Sequence, residues 1–488
     1  MNPRSPWPAL WALVIGFFMI LIDTTIVSVA NPAIKAALDP HTANLDNVVW
    51  VTSSYLLAYA VPLLITGRLG DRFGPRRVYL VGLVVFTLAS VGSGLSGTLD
   101  ALVATRAVQG LGAALMTPQT MAVITRTFPR ERRGAAMGLW GGTAGVATLV
   151  GPLLGGVLVD AWGWEWIFFI NVPVGVVAFV LAWMLVPDLE THRHRFDMVG
   201  VALSALGLFL IVFGLQEAAT YDWGIIVGPI SVWGLIGAGV VVMVAFVWWQ
   251  GRTRREPLVP LALFRDRNFG LANAGASAVG FTVTSMSLPY MFFLQASRGL
   301  TPTQAALLPM ALLSGILSPF AGRLLDRIDA RLMVVPALLI VASALGWYIG
   351  LILADAPILM FLLPSALMGL GNAGMWGPLA TTATRSMDPR QAGAGASIYN
   401  TTRTVGSVVG SAAIAALMQS RLVANLPGAA GAAGGGAGFG QGQLPAGVAG
   451  PFGQAMAQSL ILPAVVAVLA AVLMLFLLPS DRSPLPAG

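Results

Sequence analysis

The chain has 488 residues, of which 57% are hydrophobic and only 10% are charged. Soluble domains carry about 25% charged residues, so this composition excludes a soluble protein and predicts one that crosses a membrane many times. The absence of cysteine excludes disulfide bonds and thiolate metal sites.

Fourteen apolar stretches are long enough to cross a bilayer, which takes about 20 residues. The basic loops between them all fall on one side, which the arginine and lysine bias identifies as cytoplasmic. The net charge of +7 therefore reflects topology and does not indicate a nucleic-acid partner. An even number of spans puts both termini in the cytoplasm, and the first stretch lacks a signal-peptide cleavage site. The predicted spans are 9–31, 47–66, 77–98, 101–124, 134–159, 165–187, 197–217, 225–249, 270–294, 304–322, 332–353, 357–380, 392–418 and 456–478.

The chain is internally duplicated. Residues 67–77 read Gly-Arg-Leu-Gly-Asp-Arg-Phe-Gly-Pro-Arg-Arg, and residues 322–327 repeat the first part as Gly-Arg-Leu-Leu-Asp-Arg. Parallel repeats of this kind place a substrate site between the two halves, near the middle of the membrane. We therefore divide the chain into an N-terminal six-helix bundle (1–187), two extra helices with a cytoplasmic linker (188–269) and a C-terminal six-helix bundle (270–488).

Two connecting segments are expected to differ from short loops. The apolar stretch 258–264 of the linker is expected to form a short helix on the inner leaflet. Residues 421–455 are rich in glycine and alanine. We expect them to form a flexible external loop, with residues 448–452 touching the membrane.

Asp23 is the one acidic residue away from the ends of the predicted spans. A carboxylate within the bilayer is costly and is commonly functional, so we expect Asp23 to bind and release protons. Arg106 in the fourth span lies at a similar depth, and we expect it to face Asp23 and hold it ionised until a proton or a cationic substrate competes. The alternative is a static ion pair that only fixes the first and fourth helices.

The loop 67–77 is expected to gate the cytoplasmic side. Asp71 can cap the following helix or pair with arginines of the other half, which would hold that side shut. In the repeated motif, Asp326 and Arg327 would form a weaker second latch. The alternative for both loops is a simple topology signal.

The fifth span is unusually rich in glycine. Small residues let helices approach closely, and a proline within a span bends it. Such a helix suits an interface that seals and reopens, although ordinary small-residue packing explains part of the pattern. The residues are Gly138, Gly141, Gly142, Gly145, Gly151, Pro152, Gly155 and Gly156.

Arg403 lies near the middle of the thirteenth span, in a half with no carboxylate inside a predicted span. It is expected to bond carbonyls or hydroxyls of neighbouring helices, or an anionic group of a substrate. A cavity for an amphipathic ligand is lined by aromatic and amide side chains. The further candidates for this lining are Trp50, Tyr55, Gln109, Tyr290, Gln295, Asn372 and Trp376.

The sequence contains no phosphate-binding Gly-x-x-x-x-Gly-Lys-Ser/Thr loop, so we expect no ATP hydrolysis. Its three histidines do not suggest a metal site, and no nucleophile lies beside a plausible base. We therefore expect no enzyme and no cofactor, with a proton gradient as the energy source.

Several of these motifs together resemble the major facilitator superfamily. The loop 67–77 resembles its signature loop, and the fifth span resembles the antiporter signature of its drug exporters. Ile-Asp-Thr-Thr-Ile-Val at 22–27, Arg106 with Gln109, and Trp-Ile-Phe at 166–168 are similar to motifs of its fourteen-helix drug:proton antiporters. The resemblance covers nearly the whole chain.

The resemblance implies an all-α polytopic membrane protein with 14 transmembrane helices, arranged as two six-helix bundles plus two extra helices. It implies proton coupling at Asp23 and Arg106. Glu165 and Pro75 depart from the family's usual basic residues, and the second half lacks the carboxylates of dication exporters. Monocationic, neutral or weakly anionic lipophiles are therefore favoured. The gating residues that it implies are Gly67, Asp71, Arg72, Gly74 and Arg76, and the antiporter residues are Gly142, Gly151, Pro152, Gly155 and Gly156.

We therefore expect a monomeric multi-pass exporter in the lipids of the bacterial cytoplasmic membrane. It would exchange lipophilic small molecules for protons by alternating access, with the external proton reaching Asp23 and the cargo leaving from the same cavity. Two alternatives remain open: a dedicated exporter of one metabolite or lipid with the same fold, and a membrane-embedded enzyme or receptor.

Overall fold

The computed structural model describes residues 5–38, 46–129, 132–191, 197–218, 220–253, 256–300, 304, 310–385, 387–426 and 446–478. Most of these residues lie in α-helices, as the apolar runs predict. One short antiparallel hairpin pairs β1 (Ile225–Val227) with β2 (Ile230–Ser231).

The N-terminal half contains two helix breaks with clear causes. The predicted second span bends by 48° between its two helices, where Pro62 precedes the second. Gly74 has φ 93°, a conformation that favours glycine, and Pro75 then starts the next helix. The helices of this half are α1 (Trp7–Leu38), α2 (Asp46–Ala60), α3 (Leu63–Phe73), α4 (Pro75–Gly94), α5 (Leu99–Thr127), α6 (Arg133–Trp162), α7 (Trp166–Phe169) and α8 (Asn171–Leu185).

The two extra helices, α9 (Met198–Gln216) and α10 (Val232–Arg252), pack against each other. Asp197 joins them at the predicted cytoplasmic end. It accepts from Gly200 N at the start of α9 and from the side chains of Trp249 and Gln250 on α10. Helix α9 also contacts α2 of the N-terminal half and the long helix Ala392–Asn425 of the C-terminal half.

The C-terminal half repeats the helical layout with its own irregularities. A π-helix (Phe293–Ser297) extends the first helix, and 3₁₀ turns occur at Ile358–Phe361 and Pro389–Gln391. The α-helices are α11 (Arg267–Phe292), α12 (Met310–Leu325), α13 (Ala330–Leu353), α14 (Leu362–Ala373), α15 (Trp376–Thr384), α16 (Ala392–Asn425), α17 (Ala446–Ser459) and α18 (Ile461–Met474).

The structure confirms an all-α membrane-spanning fold. Within the described residues, ten helical segments are long and apolar enough to cross a membrane, and the bent pair α2–α3 makes an eleventh. The remaining predicted spans, the fourth, fifth and tenth, coincide with α5, α6 and α12. These three helices are not among the segments that qualify by length and apolarity, so the count of fourteen is not established by that criterion.

The two halves meet along helices that begin or end at the predicted cytoplasmic end. Helix α6 packs against α12, and α3 and α5 pack against α16. Glycines make these approaches possible, since a Cβ on Gly138 would lie 2.7 Å from Gly322 Cα. The halves are therefore closed against each other at that end.

The structure corrects both predictions about the connecting segments. Helix α16 continues to Asn425 and α17 covers Ala446–Ser459, so both ends of the predicted external loop are helical. Phe452, expected near the membrane, is 1% exposed and belongs to a large apolar cluster built mainly from the C-terminal half. The middle of the predicted loop, 427–445, lies outside the described residues.

In the linker, the predicted interfacial helix is a five-residue 3₁₀ turn, Leu261–Arg265. Leu258 and Val259 are buried in a cluster with Leu64 and Ile398. That part of the linker therefore packs between the two halves and does not lie on the leaflet.

Candidate functional site

Asp23 and Arg106 form an ion pair inside the N-terminal half. Asp23 Oδ2 on α1 accepts from Arg106 Nη1 on α5 at 2.5 Å, and both side chains are fully buried. Asp23 Oδ1 accepts from Gln109 Nε2 at 2.9 Å and from Asn171 Nδ2 on α8 at 3.1 Å. The contact expected from their similar depths is present, and their role in proton transfer stays a prediction.

Ser90 on α4 completes this group. Its hydroxyl accepts from Asn171 at 3.0 Å and from Gln109 at 3.3 Å, and it donates to the carbonyl of Phe168 at 2.9 Å. We call Asp23, Ser90, Arg106, Gln109 and Asn171 the Asp23 cluster. Sequence reasoning gave no role to Ser90 or Asn171, although a polar side chain inside an apolar run was a usable signal for each.

Arg106 is held by aromatic rings as well as by the carboxylate. Its guanidinium lies 4.2 Å from the ring centroid of Tyr55 and 5.6 Å from that of Phe168. Its Nε donates to the carbonyl of Val51 at 3.2 Å. Cation–π contacts are strongest where water is excluded, so these rings stabilise the Arg106 guanidinium inside the N-terminal bundle.

The Asp23 cluster does not line a space between the halves. Asp23, Arg106 and Gln109 are each 0% exposed, and every partner named above belongs to the N-terminal half. The expectation that the proton and the cargo share one cavity at Asp23 is therefore wrong for this conformation, because α4, α5 and α8 enclose the carboxylate. Tyr55 and Gln109, predicted to line the substrate cavity, belong to this enclosed region as well.

Asp71 joins the two halves at the predicted cytoplasmic end. Its carboxylate accepts from Gly393 N at 3.0 Å and from Ala394 N at 3.1 Å, at the start of α16. Arg126 of its own half pairs with it at 2.6 Å. Asp71 was expected to cap the helix that follows it or to pair with arginines of the other half. The observed cross-half partner is the positive end of a helix, which favours an anion for the same electrostatic reason.

Asp326 makes the reciprocal contact. It lies on the C-terminal half and accepts from Gly134 N at 2.9 Å and Ala135 N at 3.2 Å, at the start of α6. Each half thus supplies one aspartate to the first turn of a helix in the other half. The duplicated loops 67–77 and 322–327 are related in contact as well as in sequence.

The other predicted gating residues make different contacts. Gly67 lies against Ser397 of α16, where a Cβ would be 2.6 Å from the serine Cβ. Arg72 lies over the ring of Phe73. Arg76 pairs at 2.9 Å with Asp188 at the start of the linker, Gly74 supplies the turn before α4, and Arg327 is exposed.

Helix α6 contacts different partners along its length. Toward the predicted external end, a Cβ on Gly151 would collide with Thr25 of α1, and one on Gly155 would lie 2.9 Å from Ile26. Toward the other end, a Cβ on Gly142 would lie 2.6 Å from Ser318 of α12. Gly156 is partly buried, and Pro152 lies within the helix. The glycines thus let α6 pack closely on the N-terminal half with one end and on the C-terminal half with the other.

Three of the predicted substrate residues meet at the interface of the halves. Arg403 on α16 lies 5.6 Å from the ring centroid of Trp376 and 6.0 Å from that of Trp140 on α6. Asn372 accepts from Trp376 Nε1 at 3.1 Å and donates to Ser314 at 2.9 Å. Trp140 was not predicted, although it is a large aromatic residue beside Gly141 and Gly142 in the glycine-rich span. We call Trp140, Trp376, Tyr399 and Arg403 the interface cluster.

The remaining substrate candidates lie elsewhere. The rings of Tyr290 and Tyr348 contact each other inside the C-terminal half, with centroids 4.5 Å apart and planes tilted by 48°. Trp50 lies 5.9 Å from Phe213 of the extra helix α9. Gln295 is part of the π-helix that extends α11.

The family model described as the Major Facilitator Superfamily matches residues 13–411. The chain belongs to this superfamily. It is 50% identical to an uncharacterized MFS-type transporter of Mycobacterium tuberculosis, over 99% of this chain and 84% of that protein. It is 35% identical to the tetracenomycin C resistance and export protein of Streptomyces glaucescens (86% and 77% covered). It is 33% identical to the putative multidrug resistance protein MdtD of Escherichia coli (82% and 83% covered).

Solved structures of the superfamily share the fold at low identity. The proton:xylose symporter XylE aligns with a TM-score of 0.64 at 15% identity, covering 98% of this chain and 97% of that one. The human organic anion transporter MFSD10 aligns with a TM-score of 0.63 at 14% identity, covering 95% and 100%. At this identity the similarity establishes the fold alone. The chain is thus a multi-pass membrane protein of a transporter superfamily whose similar bacterial members include drug and antibiotic exporters.

Proposed function

We propose that this superfamily member exports lipophilic small molecules in exchange for protons, by alternating access between its two halves. The observation that carries the proposal is the buried Asp23–Arg106 ion pair. Asp23 lies on α1, which packs directly against α6. We further propose a monomer in the bacterial cytoplasmic membrane, with both termini in the cytoplasm.

The ion pair suits a protonation switch better than a purely structural role. Removing one partner of a buried pair typically costs about 3–5 kcal/mol, whereas replacing both by apolar groups is often neutral. Two further side chains, Gln109 and Asn171, donate to the carboxylate, and Ser90 accepts from both of them, so the carboxylate is held by a polar network and not by Arg106 alone. A proton on Asp23 would remove the charge that Arg106 balances and would weaken the contact between α1 and α5.

Helix α6 can carry such a change to the interface. Thr25 and Ile26 follow Asp23 on α1 and lie against Gly151 and Gly155. Helix α6 also contacts α12 of the other half through Gly138 and Gly142, as described above. Because no long side chain separates the backbones at these glycines, a small shift of α1 is transmitted without being absorbed by side-chain motion.

The two aspartate contacts would hold the cytoplasmic side shut. Asp71 and Asp326 each accept two backbone N–H groups across the interface, and such charge-assisted bonds are stronger than neutral ones. Both must break for the halves to separate at that end. The conformation described here therefore corresponds to the cytoplasm-closed state of the cycle.

The relatives and the interface both support a lipophilic cargo class. Relatives are named for multidrug resistance and for tetracenomycin C export. The aromatic rings of Trp140 and Trp376 lie where the two halves meet, which suits lipophilic molecules. A dedicated exporter of one metabolite is the second candidate, because the interface cluster presents a defined set of polar groups. A transport panel with a single saturable cargo would favour it.

The test uses everted membrane vesicles, in which the cytoplasmic face is outside. Tetracenomycin C, ethidium and Nile red serve as cargo probes under an imposed inside-acid pH gradient. The full chain is expected to accumulate at least one probe and to release protons from the vesicles as it does so. Asp23→Asn should reduce gradient-driven accumulation at least tenfold, with protein levels unchanged.

Asp100→Asn is the matched control, since Asp100 is an exposed carboxylate at the start of α5. It should transport as the unmodified chain does. Gradient-driven accumulation that is equal in the Asp23 and Asp100 variants would overturn the proposed coupling site. Accumulation that is insensitive to a protonophore would overturn proton exchange itself.

A further inference from the structure

Arg106 and Arg403 lie well inside predicted spans and differ in how their positive charge is compensated. Arg106 is paired with Asp23 at 2.5 Å. Arg403 lies in α16, which begins at Ala392, so it sits about 16 Å along the helix at 1.5 Å per residue. No aspartate or glutamate occurs in any helix of the described C-terminal half from α11 to α18.

The described contacts of Arg403 supply little compensation for its charge. One of its terminal nitrogens lies 3.4 Å from Asn400 Oδ1, which is a long hydrogen bond. Two tryptophan faces lie at 5.6 and 6.0 Å. Among the described residues, Arg403 Nε has no acceptor. The guanidinium therefore keeps donor capacity that an anion could use.

Near Arg403, two buried aromatic side chains have polar atoms without a hydrogen-bond partner among the described residues. Trp140 is 2% exposed and Tyr399 is 0% exposed. Their rings are 6.5 Å apart, and within the described chain neither Trp140 Nε1 nor Tyr399 Oη has a hydrogen-bond partner. Arginine and tryptophan side chains can only donate, and a tyrosine hydroxyl can donate as well. Buried donors are normally satisfied, so this concentration of unpaired ones points to a ligand that is rich in acceptors.

The surroundings favour a flat aromatic molecule. Phe17 of α1 stacks on Trp140 with centroids 5.0 Å apart, and the ring of Trp376 also lies near the Arg403 guanidinium. These residues come from both halves, with α1 and α6 on one side and α15 and α16 on the other. A ligand held among them would be exposed alternately as the halves rock.

We propose that the cargo class is aromatic acids: flat aromatic molecules that carry a carboxylate or an ionised phenol. The anion binds Arg403 with Trp140 and Tyr399 as supporting donors, and the aromatic body packs between the tryptophans. This inference rests on the proposed export function and names its substrate class. It also separates the cargo site from the Asp23 cluster, so cargo and proton are coupled through helix movement and not through competition for one carboxylate.

The test measures binding to the purified full chain in detergent by equilibrium dialysis. The probes are naphthoate, naphthamide and naphthylmethyl-trimethylammonium, which share one ring system and differ in charge. Naphthoate is expected to bind at least tenfold more tightly than naphthamide, with the cation weakest. Arg403→Met should reduce naphthoate affinity to that of naphthamide, a loss of tenfold or more as expected for one charge-assisted pair. Arg403→Lys should retain part of the affinity.

Two further variants keep the result interpretable. Trp140→Phe keeps an aromatic ring, although a smaller one, and removes the indole N–H donor, so it should weaken naphthoate about threefold more than it weakens naphthamide. Arg298→Met is the matched control, because Arg298 is a cation of the same half that pairs with the exposed Asp355. It should leave naphthoate affinity unchanged.

Undetectable naphthoate binding, equal or tighter binding of naphthamide or the cation, or an unchanged affinity in Arg403→Met would each overturn the proposal. Binding to the purified chain needs no proton gradient. The proposed substrate class and the proposed proton exchange can therefore fail independently of each other.

Discussion

The close backbone approach of α6 and α12 between the halves offers a direct test of how the predicted cytoplasmic side is closed. A Cβ added to Gly138 would lie 2.7 Å from Gly322 Cα and 2.8 Å from the carbonyl oxygen of Ser318. Carbon atoms at optimal separation are about 3.5–4.0 Å apart, so Gly138→Ala requires α6 and α12 to separate by about 1 Å. Both obstructing atoms are backbone and cannot rotate away.

The expected size of the effect follows from overpacking. Forcing an extra methyl group into a well-packed contact costs about 1–3 kcal/mol. If the halves part here when the predicted cytoplasmic side opens, as proposed, that cost shifts the balance toward the open state by about 5- to 150-fold. The variant should therefore be folded and abundant but poorly able to close.

The chain contains no cysteine, so a single introduced cysteine is the only residue that a thiol reagent can label. Ser397 is 1% exposed at the closed interface, and Ser397→Cys is the reporter. Its labelling by a membrane-impermeant maleimide in everted vesicles should accelerate at least fivefold when Gly138→Ala is added.

Gly346→Ala is the matched control, since a Cβ at Gly346 meets nothing within 4 Å. Both substitutions gain the same helix propensity, about 1 kcal/mol, so their difference isolates the interface clash. Equal labelling rates in the two variants would refute the view that this glycine contact closes the cytoplasmic side.

Three further predictions concern the contacts of Asp71 and Asp326, the packing of α6 on α1, and the Asp23 cluster. Asp71→Asn should accelerate labelling of the same reporter severalfold, because it removes the charge that faces the first turn of α16. Asp326→Asn should accelerate labelling as well. Unchanged labelling in both variants would contradict the view that these two aspartates hold the halves together. Gly151→Ala should reduce gradient-driven transport because its methyl group collides with Thr25, and adding Thr25→Ala should restore part of it; absence of any rescue would count against this contact. Asn171→Ala should lower the free energy of unfolding by about 1–2 kcal/mol by removing a donor to the buried carboxylate, seen as a lower thermal midpoint in tryptophan fluorescence; an unchanged midpoint would argue against the bond.

Much of the helical plan could be read from the chain because a bilayer imposes length and apolarity on every span. The basic loops, the duplicated motif at 67–77 and 322–327, and the isolated Asp23 were visible for the same reason. The helical ends of the segment 421–455 were missed, because glycine and alanine content indicates a loop by composition although alanine is a good helix former. The extent of α16 and α17 depends on packing in the C-terminal half, which local composition does not record.

The sequence by itself determined that Asp23 and Arg106 would lie at similar depth, since depth in a membrane is a count along one helix. Only the tertiary structure decided that their pair is enclosed within one half, because enclosure depends on how α1, α4, α5 and α8 rotate against each other. The same distinction holds at the interface. Asp71 was recognisable as a candidate latch residue, but its cross-half partner is the start of α16, a backbone feature that no pattern of side chains specifies.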